Sequence, residues 1–264
     1  MKRQTSALLA AAVCVALTVG FAKLAVAQGG PVPPPPATVT ILVNFTGSNG
    51  EDPFTENLVQ GKDGNLYGTT VYGGAHSDGT VFKINTDGTG YLRLHDFSGT
   101  NNAGFNTDGA FPQAGLVLSG NELYGTAMAG GSSGNGTVFM LDTNGQNFIT
   151  LHSFTATNAV TGTNADGQAP IGGLVMSGNA LYGTTSAGGA AGYGTVYAIV
   201  FPPSLTIARS GTNVILTWPT DVIGFSLQSA TNLAQPVNWT TVSGQNTVTN
   251  PISSHQKFFR LAQP

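Results

Sequence analysis

The string Leu66-Tyr67-Gly68-Thr69-Thr70 returns as Leu123-Tyr124-Gly125-Thr126-Ala127 and again as Leu181-Tyr182-Gly183-Thr184-Thr185, at spacings of 57 and 58 residues. Each copy leads to a glycine pair (Gly73-Gly74, Gly130-Gly131, Gly188-Gly189). Gly79-Thr80-Val81-Phe82, Gly136-Thr137-Val138-Phe139 and Gly194-Thr195-Val196-Tyr197 then follow at the same spacings. Upstream lie Gly-x-x-Pro (Gly50 to Pro53, Gly109 to Pro112, Gly167 to Pro170) and a Leu-Val pair beginning at Leu58, Leu116 and Leu174. Five features aligned three times define an internal repeat, one supersecondary unit copied in tandem.

Each unit reads as four short strands. The first ends in Leu42-Val43-Asn44-Phe45, Leu94-His95-Asp96-Phe97 or Leu151-His152-Ser153-Phe154. The Leu-Val strand turns at Asp63-Gly64-Asn65, Ser119-Gly120-Asn121 or Ser177-Gly178-Asn179 into the Leu-Tyr-Gly-Thr strand, with Gly or Asn supplying the left-handed residue of a hairpin. The Gly-Thr-Val-aromatic strand closes the unit, and Thr86-Asp87-Gly88 and Thr143-Asn144-Gly145 turn the chain into the next copy. Four strands per unit is the count of a propeller blade. The expected fold is therefore all-β: three propeller-like four-stranded repeats over 39–200, then a small β-sandwich-like module over 204–264.

Composition agrees. Among 264 residues there are 37 Gly and 14 Pro, and only 8% are charged, against roughly 25% in ordinary soluble domains. Glycine at this density opposes helices and supplies turns, and no G-x-y period points to collagen.

The repeat motifs resemble the Gloeo/Verruco (GloVer) extracellular tandem-repeat family. The resemblance covers about residues 40 to 200. It implies a secreted or surface-displayed repeat protein with no established activity, often ending in a sorting signal; none is read after Phe258-Phe259-Arg260-Leu261. After Phe201-Pro202-Pro203 the pattern changes. The order Leu216-Thr217-Trp218, Phe225-Ser226-Leu227, Trp239-Thr240 and Phe258-Phe259 resembles a short fibronectin type III-like sandwich, with both tryptophans expected in its core.

At the other end, Lys2 and Arg3 precede an apolar run from Ala7 to Ala22, and Ala25-Val26-Ala27 offers a small-x-small cleavage pattern. The expectation is a signal peptide over 1–27, a Pro-rich leader over 28–38 and a secreted or cell-surface location. Cleavage would remove Lys2, Arg3, Lys23 and the single Cys14, leaving six basic against 12 acidic residues. Thiol chemistry and a disulfide framework are then excluded, and so is nucleic-acid binding by a chain with so few scattered cations. No later apolar run is long enough to span a membrane.

Candidate chemistry is sparse. The histidines are His76, His95, His152 and His255. His95 and His152 share one repeat position, where the first copy has Val43, and so read as half-buried strand residues. His76 with Asp78 is a close pair in a loop whose other copies have Ser133 with Asn135 and Ala191 with Tyr193, which reads as loop variation. Asp108 and Asp166 are equivalent, with Asn49 as the third, and read as turn residues rather than a glycosidase pair. Asp87, Asp108, Asp142 and Asp166 each begin to resemble a calcium loop, but none completes the ligand spacing, so no catalytic, cofactor or metal residue is assigned. Loops near Gly74, Gly131 and Gly189 are the candidate ligand surface; the stretches Gly130 to Gly136 and Gly188 to Gly194 are uncharged and suited to glycans or other cell-surface components. A polysaccharide lyase or glycoside hydrolase is the alternative. Three blades also fall short of the roughly 4 to 8 that close a propeller. Capping by the C-terminal module, pairing of two chains into a six-bladed homodimer, or threefold closure would each supply the missing edges.

Overall fold

A computed structural model describes residues 37–53, 57–218, 225–244, 246–253 and 256–262. The expected signal peptide, Cys14, His255 and nearly all of the Pro-rich leader lie outside these residues.

The fold is all-β, with 17 strands in five antiparallel sheets among the described residues. The first sheet has β1 (Val59–Gln60), β2 (Leu66–Thr70), β3 (Thr80–Ile84) and β4 (Leu92–Asp96) in that order. The second repeats it with β5 (Val117–Ser119), β6 (Glu122–Ala127), β7 (Thr137–Asp142) and β8 (Ile149–Ser153). The third has only β9 (Val175–Ser177), β10 (Ala180–Thr185) and β11 (Thr195–Val200). These three sheets are the propeller-like blades.

Strand pairing shifts the unit by one strand relative to the sequence reading. The Leu-His-x-Phe strand, expected to open a unit, instead pairs backwards on the Gly-Thr-Val-Phe strand of the previous copy. Val81 stands opposite His95 and Val138 opposite His152, each beside a bulge. The cause is local. Asn85 N bonds Thr89 O and Asp142 N bonds Gln146 O, tight turns that can only return the chain antiparallel. In the third copy Phe201 N still bonds Asn179 O, as Thr143 N bonds Asn121 O, but Pro202 and Pro203 replace the turn residues. Proline lacks the N–H and the free φ that this turn uses, so among the described residues no fourth strand returns to pair with β11.

Alternation along each strand divides its side chains between two neighbours. One core joins Tyr67, Val81, Leu94 and Phe97 of the first blade to Leu116, Leu123, Phe139 and Leu141 of the second. Another joins Tyr124, Val138 and Phe154 to Leu174 and Leu181 of the third. Leu123 and Tyr124, adjacent in sequence, thus serve opposite faces. Gly125 has a specific steric cause: a Cβ there would stand 2.5 Å from the Phe139 ring.

The C-terminal module is sandwich-like. One sheet contains β12 (Thr206–Ser210), β13 (Asn213–Thr217) and β16 (Thr247–Pro251), and the other β14 (Ser226–Ala230), β15 (Thr240–Thr241) and β17 (Phe258–Ala262). Leu216, Trp218 and Leu227 form its buried centre. Trp239 does not join them; it is half-buried, with the Arg260 guanidinium 4.2 Å from its ring centroid.

Candidate functional site

Polar residues converge where the chain leaves one blade and enters the next. The two joints have the same construction. In the first, Asn106 Oδ1 accepts from Gly109 N at 2.9 Å and Gly131 N at 2.7 Å, while its Nδ2 donates to Ser98 O and Gly109 O, both at 2.7 Å. Asn164 repeats this with Gly167 N, Gly189 N, Thr155 O and Gly167 O. Both acceptor sites and both donors of the amide are used, which fixes the joint to the glycine-pair loop of the same blade. At the first copy a backbone group substitutes: Gly74 N bonds Gly47 O at 2.9 Å. Gly130 and Gly188 must be glycine here, since their φ values are +72° and +72° and an added Cβ would lie 2.5 and 2.6 Å from the clamping Oδ1.

Beside each clamp lies a carboxylate. Asp108 Oδ2 is 2.9 Å from His95 Nε2 and accepts Ser98 N at 3.0 Å; Asp108 Oδ1 accepts the Ser98 hydroxyl. Asp166 holds His152 Nε2 at 2.8 Å, together with the backbone amide and hydroxyl of Thr155. Burial pushes the Asp108 carboxyl up, but the hydrogen bonds from His95 and Ser98 outweigh it and hold the group below its ordinary value. Asp166 is lowered likewise, burial being opposed by Thr155 and then His152. The His95 ring is stacked on Phe148 of the next blade, 3.8 Å between centroids, and edge-on to Phe97.

A serine, a histidine and an aspartate in one cluster resemble a nucleophilic triad, but the connectivity differs. A triad needs the hydroxyl bonded to the imidazole and the imidazole to the carboxylate. In both joints hydroxyl and imidazole converge on the carboxylate, and the hydroxyl proton is donated to that acid. This arrangement aligns loops and does not activate an oxygen nucleophile. Asp108 and Asp166 stand in separate joints, each with its own histidine and hydroxyl.

The remaining sequence candidates fall elsewhere. His76 lies against Gly99, and Asp78 accepts Thr100 N at 2.9 Å rather than engaging His76. Asp87 Oδ1 takes Thr89 N and Oγ1, and Asp142 Oδ2 takes Asn147 Nδ2, both within the turns that return the strands. Among the described residues no three His, Cys, Asp or Glu side chains come together as a metal site. The amides of Gly74, Gly131 and Gly189 are engaged internally, and the exposed faces of the second and third loops are made by neutral residues such as Ser132 and Ala190, whereas the first exposes His76.

The His–Asp pairing was not anticipated from sequence, although a signal for it exists. The two positions change together: copies two and three carry His95 with Asp108 and His152 with Asp166, while the first carries Val43 with Asn49. Asn49 keeps the remaining role, its Oδ1 accepting Thr46 N and Oγ1 as the aspartates accept Ser98 and Thr155.

Fold and joints together define a tandem β-repeat protein whose polar clusters splice successive blades. The chain belongs to the Gloeobacter/Verrucomicrobia repeat family, whose model matches residues 32–212. No curated protein matches it. No helix among the described residues is long and apolar enough to cross a membrane.

Proposed function

We propose that this protein is an exported, non-catalytic repeat scaffold that binds glycans or other components at or outside the cell surface. The observation that carries this reading is the use of its polar side chains: His95, Ser98 and Asp108, and their counterparts His152, Thr155 and Asp166, satisfy one another at the joints. Rigid blades joined in this way hold glycine-rich loops in a repeating array, neutral in the second and third copies, a geometry suited to recognition of uncharged, repetitive ligands. The apolar leader of residues 7–22 supports export. The C-terminal module, read as fibronectin type III-like, would act as a second binding or spacing unit. The test is a panel of surface polysaccharides assayed for both retention and turnover. Retention without turnover is expected; turnover abolished by His95→Ala or Asp108→Ala would overturn the scaffold reading.

A further inference from the structure

The two ends of the blade array are each other's missing parts. At the C-terminal end, β11 pairs among the described residues only with β10, and its other edge, Thr195-Val196-Tyr197-Ala198-Ile199-Val200, carries no charge or proline to discourage pairing. Val196 is 82% exposed, whereas its counterparts Val81 and Val138 are 0% exposed. Tyr182 and Tyr193, on this same unfinished blade, are also open to solvent.

At the N-terminal end, Ile41–Phe45 belongs to no sheet, yet it occupies the place of a fourth strand. A Cβ on Gly88 would meet Leu42 O at 3.0 Å and Leu42 Cα at 3.3 Å; a Cβ on Gly145 would meet Leu94 O and Cα at the same two distances. Phe45 sits edge-on to Phe82 at 5.4 Å, as Phe97 does to Phe139 at 5.3 Å and Phe154 to Tyr197 at 5.1 Å. The segment thus occupies the place of a fourth strand against the first blade, and among the described residues no strand precedes it.

We infer that Ile41–Phe45 of one copy pairs with the free edge of β11 in a second copy, completing the third blade across the interface. This goes beyond the functional reading and stands without it. The register follows from the internal copies: Thr195 opposite Asn44, Val196 opposite Val43 and Tyr197 opposite Ile41, as Thr80, Val81 and Phe82 stand opposite Asp96, His95 and Arg93. Where the internal joints place a histidine, this one places Val43 against Val196, an apolar cross-strand pair suited to an interface. The contact is head-to-tail, so it must close on itself or grow into a fibre. Two copies give six blades, within the range that closes a propeller, and three copies exceed it.

The experiment is native mass measurement of the purified chain alongside Val43→Pro and Val196→Asp, which change side chains outside the buried core. Twice the single-chain mass is expected for the unaltered chain, and the single-chain mass for both variants with unchanged far-UV spectra. In a Cys14→Ser background, Val43→Cys combined with Val196→Cys should oxidise to a covalent dimer. A single-chain mass at every concentration, a larger open polymer, a dimer that withstands both substitutions, or a disulfide closed within one chain would overturn the inference.

Discussion

The second and third blades share the same motifs, and their side chains fare differently. Val138 and Tyr124 are buried at 0% and 5% exposure, while Val196 and Tyr182 stand at 82% and 40%. β10 and β11 hold the same register as β6 and β7, but among the described residues the third blade has no fourth strand on β11, where the second has β8. The difference is the neighbour. A blade buries only the side chains that an adjacent blade covers, so stability resides in the interfaces between repeats. The same motif is therefore core in the middle of the array and surface at its end.

That contrast breaks most sharply at the phenylalanines of the fourth-strand position. Phe97→Ala or Phe154→Ala, each at a fully buried ring, should lower the unfolding free energy by about 3–5 kcal/mol in urea titrations, whereas Phe45→Ala at the open end should cost about 1 kcal/mol. Equal losses at all three would show that the ends are no looser than the middle. Next come the clamps: Asn106→Ala abandons four hydrogen bonds, orphans Gly131 N and should cost about 2–3 kcal/mol, while Asn106→Asp, which keeps the acceptor and loses the donor, should cost less.

The carboxylates give a pH signature. Asp108 and Asp166 are held below the ordinary value of 3.8 in the folded chain. A lowered carboxyl contributes stability that is present above its unfolded value and is lost as pH falls through the folded one. Asp108→Asn should therefore cost about 1–2 kcal/mol at neutral pH, and its deficit should close on acidification through and below 3.8. A deficit independent of pH would assign the effect to shape alone. The smallest change runs the other way. The buried Tyr197 hydroxyl has no hydrogen-bond partner among the described residues, and its counterparts are Phe82 and Phe139, so Tyr197→Phe should stabilise by about 1 kcal/mol in thermal unfolding.

Much of the architecture was legible because each unit repeats its turn chemistry. Gly-Asn hairpins, glycine pairs and Gly-Thr-Val strands fixed the strand type and the repeat. The phase was less legible: whether Leu94-His95-Asp96-Phe97 belongs to the unit before or after depends on the turn at Asn85 to Thr89, and a linear repeat has no marked beginning. Pro202-Pro203 signalled that the repeat stops, but that β11 is thereby left as an open edge follows only from the pairing. At the joints the residue types were visible and their partners were not, because His95 and Asp108 meet through a loop rather than through a spaced motif. Trp239 was expected in the sandwich core on its aromatic character; the Arg260 guanidinium over its ring explains how it remains half-exposed.

In the proposed closure the open third blade is finished by the Ile41–Phe45 segment at the other end of the array of a second copy. Hydrogen exchange of the β11 amides that do not bond β10 tests it most directly, with the corresponding β7 amides, bonded to β8, as the internal standard. Protection of the β11 edge comparable with that of β7 at high protein concentration, falling on dilution and abolished by Val43→Pro, is the predicted result. Rapid exchange of that edge at every concentration, with β7 still protected, would contradict the account.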